Sequence, residues 1–131
     1  MPTIVPFYAS LLALLYFYLS VRVIRTRRQE QISLGDRRNT RLQRVTRVHA
    51  NFAEYVPLAL ILFTFVEMQG FSPILVHGLG LVLLVGRAVH AYGVSQEKEN
   101  YRLRTVGMGL TFGAIIIAAL RLIGEFLVGR L

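Results

Sequence analysis

A polar stripe precedes an apolar segment near the middle of the chain, and its residue types are the ones best suited to chemistry. Arg47, Asn51 and Glu54 are spaced at i, i+4 and i+7, so a helix would place them on one face while Phe52 and Val56 turn away. Because ionisable groups are costly to bury in a membrane, this stripe favours a site that faces the interior of a bundle. The same pattern also fits a helix start at the membrane surface, where the polar groups would meet only headgroups and water.

Polar groups recur at the ends of the other apolar segments. They are Arg22 and Arg25 after the first, His49 beside the stripe in the second, Arg87 and His90 in the third, and Arg102 and Arg104 at the start of the fourth. We expect them at one membrane depth. An arginine-rich site with one glutamate suits a small zwitterion, since guanidinium groups bind carboxylates and Glu54 would bind an ammonium.

The composition restricts both the class of protein and the chemistry. Of the 131 residues, 54% are hydrophobic, and the mean hydropathy is +0.52, which is too apolar for an ordinary soluble domain. The chain contains no Cys, so disulfides, thiolate metal sites and a protein thiol nucleophile are excluded. Any sulfur chemistry would have to come from a ligand.

Four apolar segments predict an all-α integral membrane protein, built as a single four-helix transmembrane bundle. The predicted spans are residues 4–25, 48–68, 72–94 and 103–127, with a basic loop at 26–47. Each is long enough for a hydrocarbon core of about 30 Å. The first span carries its positive charge after the apolar stretch, which favours a retained anchor over a cleaved signal peptide. We also expect a modest kink at Pro57.

The net charge of +8 is concentrated in the loops on one side of these spans. By the positive-inside rule, the basic loops are predicted to be cytoplasmic and both termini to lie outside. This topology explains the basic character without a nucleic-acid partner, and it predicts contact with membrane lipids. A turn is expected at residues 33–36, between helix ends that protrude from the bilayer.

The fourth span contains two further patterns. Gly109 and Gly113 form a small-xxx-small pair, which allows close backbone approach between helices. Arg121 and Glu125 are spaced at i and i+4, so they can form an ion pair at the external end.

The motifs together resemble the MAPEG superfamily, the membrane-associated proteins in eicosanoid and glutathione metabolism. The resemblance is carried by Arg-x-x-x-Asn-x-x-Glu-x-x-Pro from Arg47 to Pro57, by Gly-Arg-x-x-His from Gly86 to His90, and by the arginine at the head of the fourth span. Members are trimeric four-helix membrane proteins, and many bind glutathione between adjacent subunits. The resemblance therefore implies a homotrimer of the bacterial type, located in the inner membrane.

The resemblance also implies glutathione as co-substrate and assigns it contacts. Arg104 matches the arginine that stabilises the glutathione thiolate in the family. The positions expected to bind glutathione are Arg22 or Arg25, Arg47, His49, Asn51, Glu54, Tyr55, Arg87 and His90. One departure is Val94, where the eicosanoid enzymes commonly have a tyrosine; Tyr92 is close in sequence but on another helix face.

These expectations define two candidate functions. The first is a glutathione-dependent transferase or peroxidase, in which Arg104 stabilises the thiolate and a lipophilic electrophile or peroxide enters from the bilayer. Arg104 would not act as a base, because arginine does not deprotonate in proteins. The second is a non-catalytic lipid-binding or scaffold protein of the same family, which Val94 favours. A third alternative, a small transporter, is disfavoured, because it would require charged residues near the bilayer midplane and the charged residues here lie towards one face.

Overall fold

The computed structural model describes residues 1–129, which form four long α-helices. They are α1 (Ile4–Glu30), α2 (Thr40–Met68), α3 (Pro73–Ser95) and α4 (Tyr101–Val128). All four are long and apolar enough to cross a membrane. The predicted all-α fold with four candidate membrane spans is therefore confirmed.

Two helices start at asparagine caps, and both caps follow a polar connection. The side chain of Asn39 accepts a hydrogen bond from the backbone N–H of Leu42 at 2.9 Å, and that of Asn100 accepts one from Leu103 at 3.1 Å. Each cap satisfies a backbone donor that has no partner within the helix. As a result α2 begins at Thr40, well before the apolar segment, and continues without interruption through Pro57.

The basic region between the first two spans is largely helical. Helix α1 continues to Glu30, so residues 31–39 alone connect it to α2, and Gly35 adopts a left-handed φ of 65° in the expected turn. The backbone N–H of Arg38 and the side-chain amide of Gln43 donate to Asp36, and they hold the pKa of its carboxyl below the usual range. Most of the segment predicted as a loop, residues 26–47, is therefore helical, and an ordered turn connects the two helices.

The core is an apolar column between the helices. Phe63, Leu83 and Ala118, from three different helices, have no exposed surface. Phe52 and Val56 are also buried, so the helix face that turns away from the polar stripe is the one that meets the core. The expectation that the polar stripe itself faces the bundle interior is therefore wrong for Arg47 and Glu54 within one chain. Large apolar side chains on the outer faces of α1 and α4 are exposed in the single chain, as expected for helices that face lipid.

Glycines on α3 and α4 allow these two helices to approach closely. A Cβ atom built on Gly107 would lie 2.6 Å from the carbonyl oxygen of Gly86 and 2.6 Å from the Cβ of His90. By contrast, a Cβ on Gly109 or Gly113 would meet no atom within 4 Å. Gly109 and Gly113 therefore make no close contact within residues 1–129, because α4 turns its Gly107 face, and not the Gly109 face, towards α3.

The opposite end of the bundle is held by a contact between α2 and the start of α1. The Glu67 carboxylate accepts hydrogen bonds from the backbone N–H groups of Thr3, Ile4 and Val5, at 2.6, 2.7 and 2.8 Å. An anion at a helix N-terminus is stabilised by the unpaired N–H groups and the helix dipole. Glu67 thus ties the two helices together.

The expected pairing of Arg121 with Glu125 does not form. The ion pairs among residues 1–129 do not include Arg121, whose guanidinium carbon lies 4.7 Å from the centre of the Phe71 ring. That cation–π contact tethers α4 to the turn before α3. The i, i+4 spacing was compatible with an ion pair, but an aromatic ring from another segment is the observed partner.

Candidate functional site

The polar stripe of α2 contains an ion pair that spans two helical turns. Both terminal nitrogens of Arg47 approach the Glu54 carboxylate, at 3.2 and 3.3 Å. About half of each side chain is exposed, at 54% and 47%. The prediction that these two residues share a face is confirmed, and the face is accessible in the single chain.

Asn51, the third member of the stripe, turns inward and binds a buried arginine. Nη1 of Arg87 donates to the Asn51 side-chain oxygen at 2.7 Å, and Nη2 contacts the sulfur of Met108 at 3.4 Å. Arg87 is 2% exposed, and its Nε has no hydrogen-bond partner in the described part of the chain. None of the ion pairs found among residues 1–129 includes it. A buried guanidinium without a carboxylate partner therefore lies directly beneath the stripe.

His90 lies one helical turn after Arg87 and is also buried. The backbone of α4 packs on it at Gly107, where an added Cβ would lie 2.6 Å from the Cβ of His90. Three helices thus bring basic groups to one end of the bundle. We call Arg47, Asn51, Glu54, Arg87, His90 and Arg104 the helix-end cluster.

Arg104 occupies the first turn of α4, at the edge of the cluster. Its Nη1 lies 2.7 Å from the Glu99 carboxylate, and 44% of its side chain is exposed. Gly93 of α3 allows the α4 backbone to approach closely here, because a Cβ at Gly93 would lie 2.8 Å from the Arg104 backbone nitrogen. The backbone at Arg104 is therefore packed against α3, while its side chain already has an acidic partner.

His49 and Tyr55 make contacts with different neighbouring helices. Nε2 of His49 lies 3.0 Å from the Ser20 hydroxyl, and its ring stacks on Tyr16 with 4.7 Å between centres. Tyr55 meets the ring of Phe112 edge-on at 5.2 Å. His49 thus joins α2 to α1, whereas Tyr55 joins α2 to α4.

Arg22 and Arg25 lie in a different place from the helix-end cluster. They line a cavity of about 600 Å³ with Arg41 and Arg44 of α2 and with Ser95 and Glu97. We call this the basic cavity; its lining contains no member of the helix-end cluster. Within one chain, the structure therefore separates these two arginines from the other expected glutathione contacts.

A second cavity, of about 530 Å³, adjoins Arg47 and is formed with the loop between α1 and α2. Arg27 and Thr46 also line this loop cavity, and the Thr46 hydroxyl is buried without a hydrogen-bond partner in the described part of the chain. Arg27, which sequence reasoning did not single out, is thus the first-helix arginine that shares a cavity with Arg47. The signal was weak, because Arg27 is one of several arginines in the helical extension of α1.

Val94 is one of the core residues, and it is 4% exposed. Tyr92, two residues earlier, is 62% exposed. The prediction that these residues occupy different helix faces is confirmed. Val94 therefore packs into the core, away from the exposed face that carries Tyr92.

The fold and the cluster define a class: an integral membrane bundle of four helices with arginine, asparagine, glutamate and histidine gathered at one end. Comparison with known proteins is more specific. The MAPEG family model matches residues 5–124, and the chain therefore belongs to that family. It is 40% identical over 113 residues to the inner membrane protein YecN of Escherichia coli K12, covering 86% of this chain and 85% of that protein. The YecN sequence of Escherichia coli O6:H1 matches to the same extent.

Proposed function

We propose that the chain is a membrane-bound, glutathione-dependent transferase or peroxidase that acts on lipophilic electrophiles or peroxides. Membership of the MAPEG family supports a role related to glutathione. The name of the similar YecN protein supports a location in the bacterial inner membrane. We place the basic helix ends on the cytoplasmic side, where lysine and arginine are enriched, and both termini outside.

The observation that carries this proposal is the buried guanidinium of Arg87 beneath the exposed pair of Arg47 and Glu54. A buried charge is costly unless it is paired, and Arg87 has only neutral hydrogen-bond partners in the described part of the chain. An anionic ligand at the helix-end cluster would reduce that cost. The adjoining carboxylate of Glu54 makes the site suitable for a zwitterion.

Glutathione fits this arrangement because it carries one ammonium and two carboxylates. An exposed ion pair such as Arg47–Glu54 contributes only about 0–1 kcal/mol, so a ligand can replace it at little cost. The ligand ammonium would bind Glu54, and a carboxylate would bind Arg47. Arg27 and the unsatisfied Thr46 hydroxyl offer further donors in the loop cavity next to Arg47.

The exposure of the Arg47–Glu54 face also supports a homotrimer. A ligand on this face would be covered on one side only, whereas an adjacent copy would enclose it and exclude water. Exclusion of water strengthens the electrostatic interactions within a site. The proposed glutathione site therefore lies between subunits.

The proposed catalytic residue is Arg104. A thiol with a pKa of about 8.5 is mainly protonated at neutral pH, and a nearby guanidinium favours the thiolate. The thiolate would donate its electron pair to the electrophilic carbon of a conjugated substrate, forming a carbon–sulfur bond while the π bond breaks and its electrons take a proton from water. With a peroxide, the thiolate would attack oxygen and cleave the O–O bond, giving glutathione sulfenic acid and an alcohol. A second glutathione would then reduce the sulfenic acid to glutathione disulfide and water. Arg104 stabilises negative charge on sulfur and transfers no proton.

The first test is the ultraviolet difference spectrum of the purified protein on addition of glutathione near neutral pH. We expect a thiolate absorbance that is lost in Arg104→Ala, and weaker glutathione binding by calorimetry in Glu54→Gln. Arg102→Ala is the matched control, because Arg102 is an exposed arginine in the same helical turn. An unchanged thiolate signal in Arg104→Ala would exclude that residue as the stabiliser.

The second candidate is a non-catalytic lipid-binding or scaffold protein. Two observations favour it: Arg104 is already paired with Glu99, and Val94 replaces an aromatic side chain. In that case glutathione would give neither a thiolate spectrum nor heat of binding. The same experiment therefore separates the two candidates.

A further inference from the structure

The basic cavity concentrates positive charge outside the helix-end cluster. Arg22 and Arg25 of α1 face Arg41 and Arg44 of α2 across it, with Glu97 as the one carboxylate in the lining. Four guanidinium groups around one cavity repel each other unless an anion is present. The cavity therefore has the charge of an anion-binding site.

Three of these arginines already have partners. Arg22 donates to the Ser95 hydroxyl at 2.8 Å, Arg44 donates to the backbone carbonyl of Gln96, and Arg41 lies 3.4 Å from the Glu30 carboxylate. Arg25, in contrast, lines the cavity and has no hydrogen-bond or ion-pair partner among residues 1–129. Its guanidinium is available to a ligand.

An exposed apolar stripe lies on the face of α1 that carries Arg22 and Arg25. Leu14, Tyr18, Arg22 and Arg25 are spaced by four, four and three residues, so they form one line along the helix. Leu14 and Tyr18 are 69% and 58% exposed, and the Arg22 guanidinium carbon lies 5.9 Å from the Tyr18 ring centre. Basic side chains next to an exposed apolar stripe are complementary to a phospholipid, which has an anionic headgroup and apolar acyl chains.

We propose that the basic cavity binds the phosphate headgroup of an anionic phospholipid, with an acyl chain along Leu14 and Tyr18. Arginine binds phosphate oxygens through paired N–H donors, and basic pockets between membrane helices are suited to anionic headgroups. Since α1 extends past its apolar segment to Glu30, the cavity lies at the depth where headgroups occur. The ligand is the lipid, because the apolar stripe adds affinity that a free phosphate would not gain.

The test is native mass spectrometry of the full-length protein in detergent, titrated with phosphatidylglycerol. Phosphatidylcholine and glycerol phosphate are the comparison ligands. We expect phosphatidylglycerol to be retained in preference to both. Arg25→Gln should lower its apparent affinity about tenfold, which is the loss expected for one charge-assisted interaction. Arg25→Lys should recover part of it.

Arg28→Gln is the matched control, because Arg28 is an exposed arginine on the same helical extension but does not line the cavity. Size-exclusion chromatography checks that each variant is folded. Equal losses in the two Gln variants would mean that general surface charge binds the lipid, and the proposal would be wrong. Glycerol phosphate binding as tightly as the lipid would identify a free phosphate site and overturn the lipid assignment. The lipid assignment would also be wrong if the wild-type protein retained no phosphatidylglycerol, as expected if a second copy of the chain covers the apolar stripe.

Discussion

The close contact between α3 and α4 makes Gly107→Ala the most informative single substitution. A Cβ at this position would lie 2.6 Å from the carbonyl oxygen of Gly86 and from two atoms of His90, whereas ordinary contacts begin at 3.4 Å. Two of the three close atoms belong to the backbone, so no side-chain rotation can relieve the clash. The helices must move apart.

We estimate the cost from overpacking, which typically destabilises a core by about 1–3 kcal/mol. The upper half of that range applies here, because the clash is with backbone. The gain in helix propensity from Gly to Ala offsets up to about 1 kcal/mol. The net loss in the free energy of unfolding should therefore be about 1–2 kcal/mol.

The substitution should also reduce activity, because α4 carries Arg104 and α3 carries Arg87 and His90. A displacement of about 1 Å in a catalytic group can reduce the rate about 100-fold. The assays are unfolding in mixed micelles with increasing dodecyl sulfate, followed by circular dichroism, and glutathione conjugation to a model electrophile. Loss of stability should be accompanied by loss of turnover.

Gly109→Ala is the matched control for this experiment. Gly109 lies in the same helix, and a Cβ there meets no atom within 4 Å. The gain in helix propensity is the same, so the difference between the two variants isolates the clash. If Gly107→Ala is as stable as Gly109→Ala, the contact deduced for Gly107 is wrong.

Three further predictions follow from the polar contacts. Asn51→Leu should lower the free energy of unfolding by about 3 kcal/mol, because it leaves Arg87 buried without its main acceptor; an unaffected midpoint in the same unfolding titration would contradict this. Glu67→Gln should destabilise the fold by about 1–2 kcal/mol, since the charged acceptor of three N–H groups at the start of α1 is lost, and faster hydrogen exchange there would show it. Glu99→Gln should free the charge of Arg104 and increase the thiolate absorbance of bound glutathione at pH 7; a decrease would mean that Glu99 positions Arg104 and does not compete for it.

Local patterns predicted the helices well. Apolar length predicted the number of candidate spans, and helical spacing correctly separated Phe52 and Val56 from the face that Arg47 and Glu54 share. The expectation that this polar face points into the bundle failed within one chain, because Phe52 and Val56 occupy the core and the Arg47–Glu54 face is half-exposed. The same spacing failed for Asn51, which borders two faces of the helix. Its inward orientation depends on a hydrogen bond from Arg87, a residue of another helix.

Interactions between helices were the part that sequence could not provide. Gly109 and Gly113 had the spacing of a close contact, but helix rotation turned Gly107 towards α3. Likewise, Arg121 had an acidic residue one turn away and yet lies over Phe71. Both outcomes depend on which face of α4 meets the neighbouring segments, and residue spacing within α4 is the same for every rotation.

The sequence by itself determined a membrane-spanning, four-helix chain and its family motifs, because apolar length and residue spacing are properties of each segment alone. The tertiary structure decided which arginines lie together in the same site. Arg87 lies beneath the α2 stripe, Arg27 shares a cavity with Arg47, and Arg22 and Arg25 line a separate basic cavity. All occur near helix ends and look alike in sequence. They differ only in which neighbouring helix each one faces, and that depends on packing.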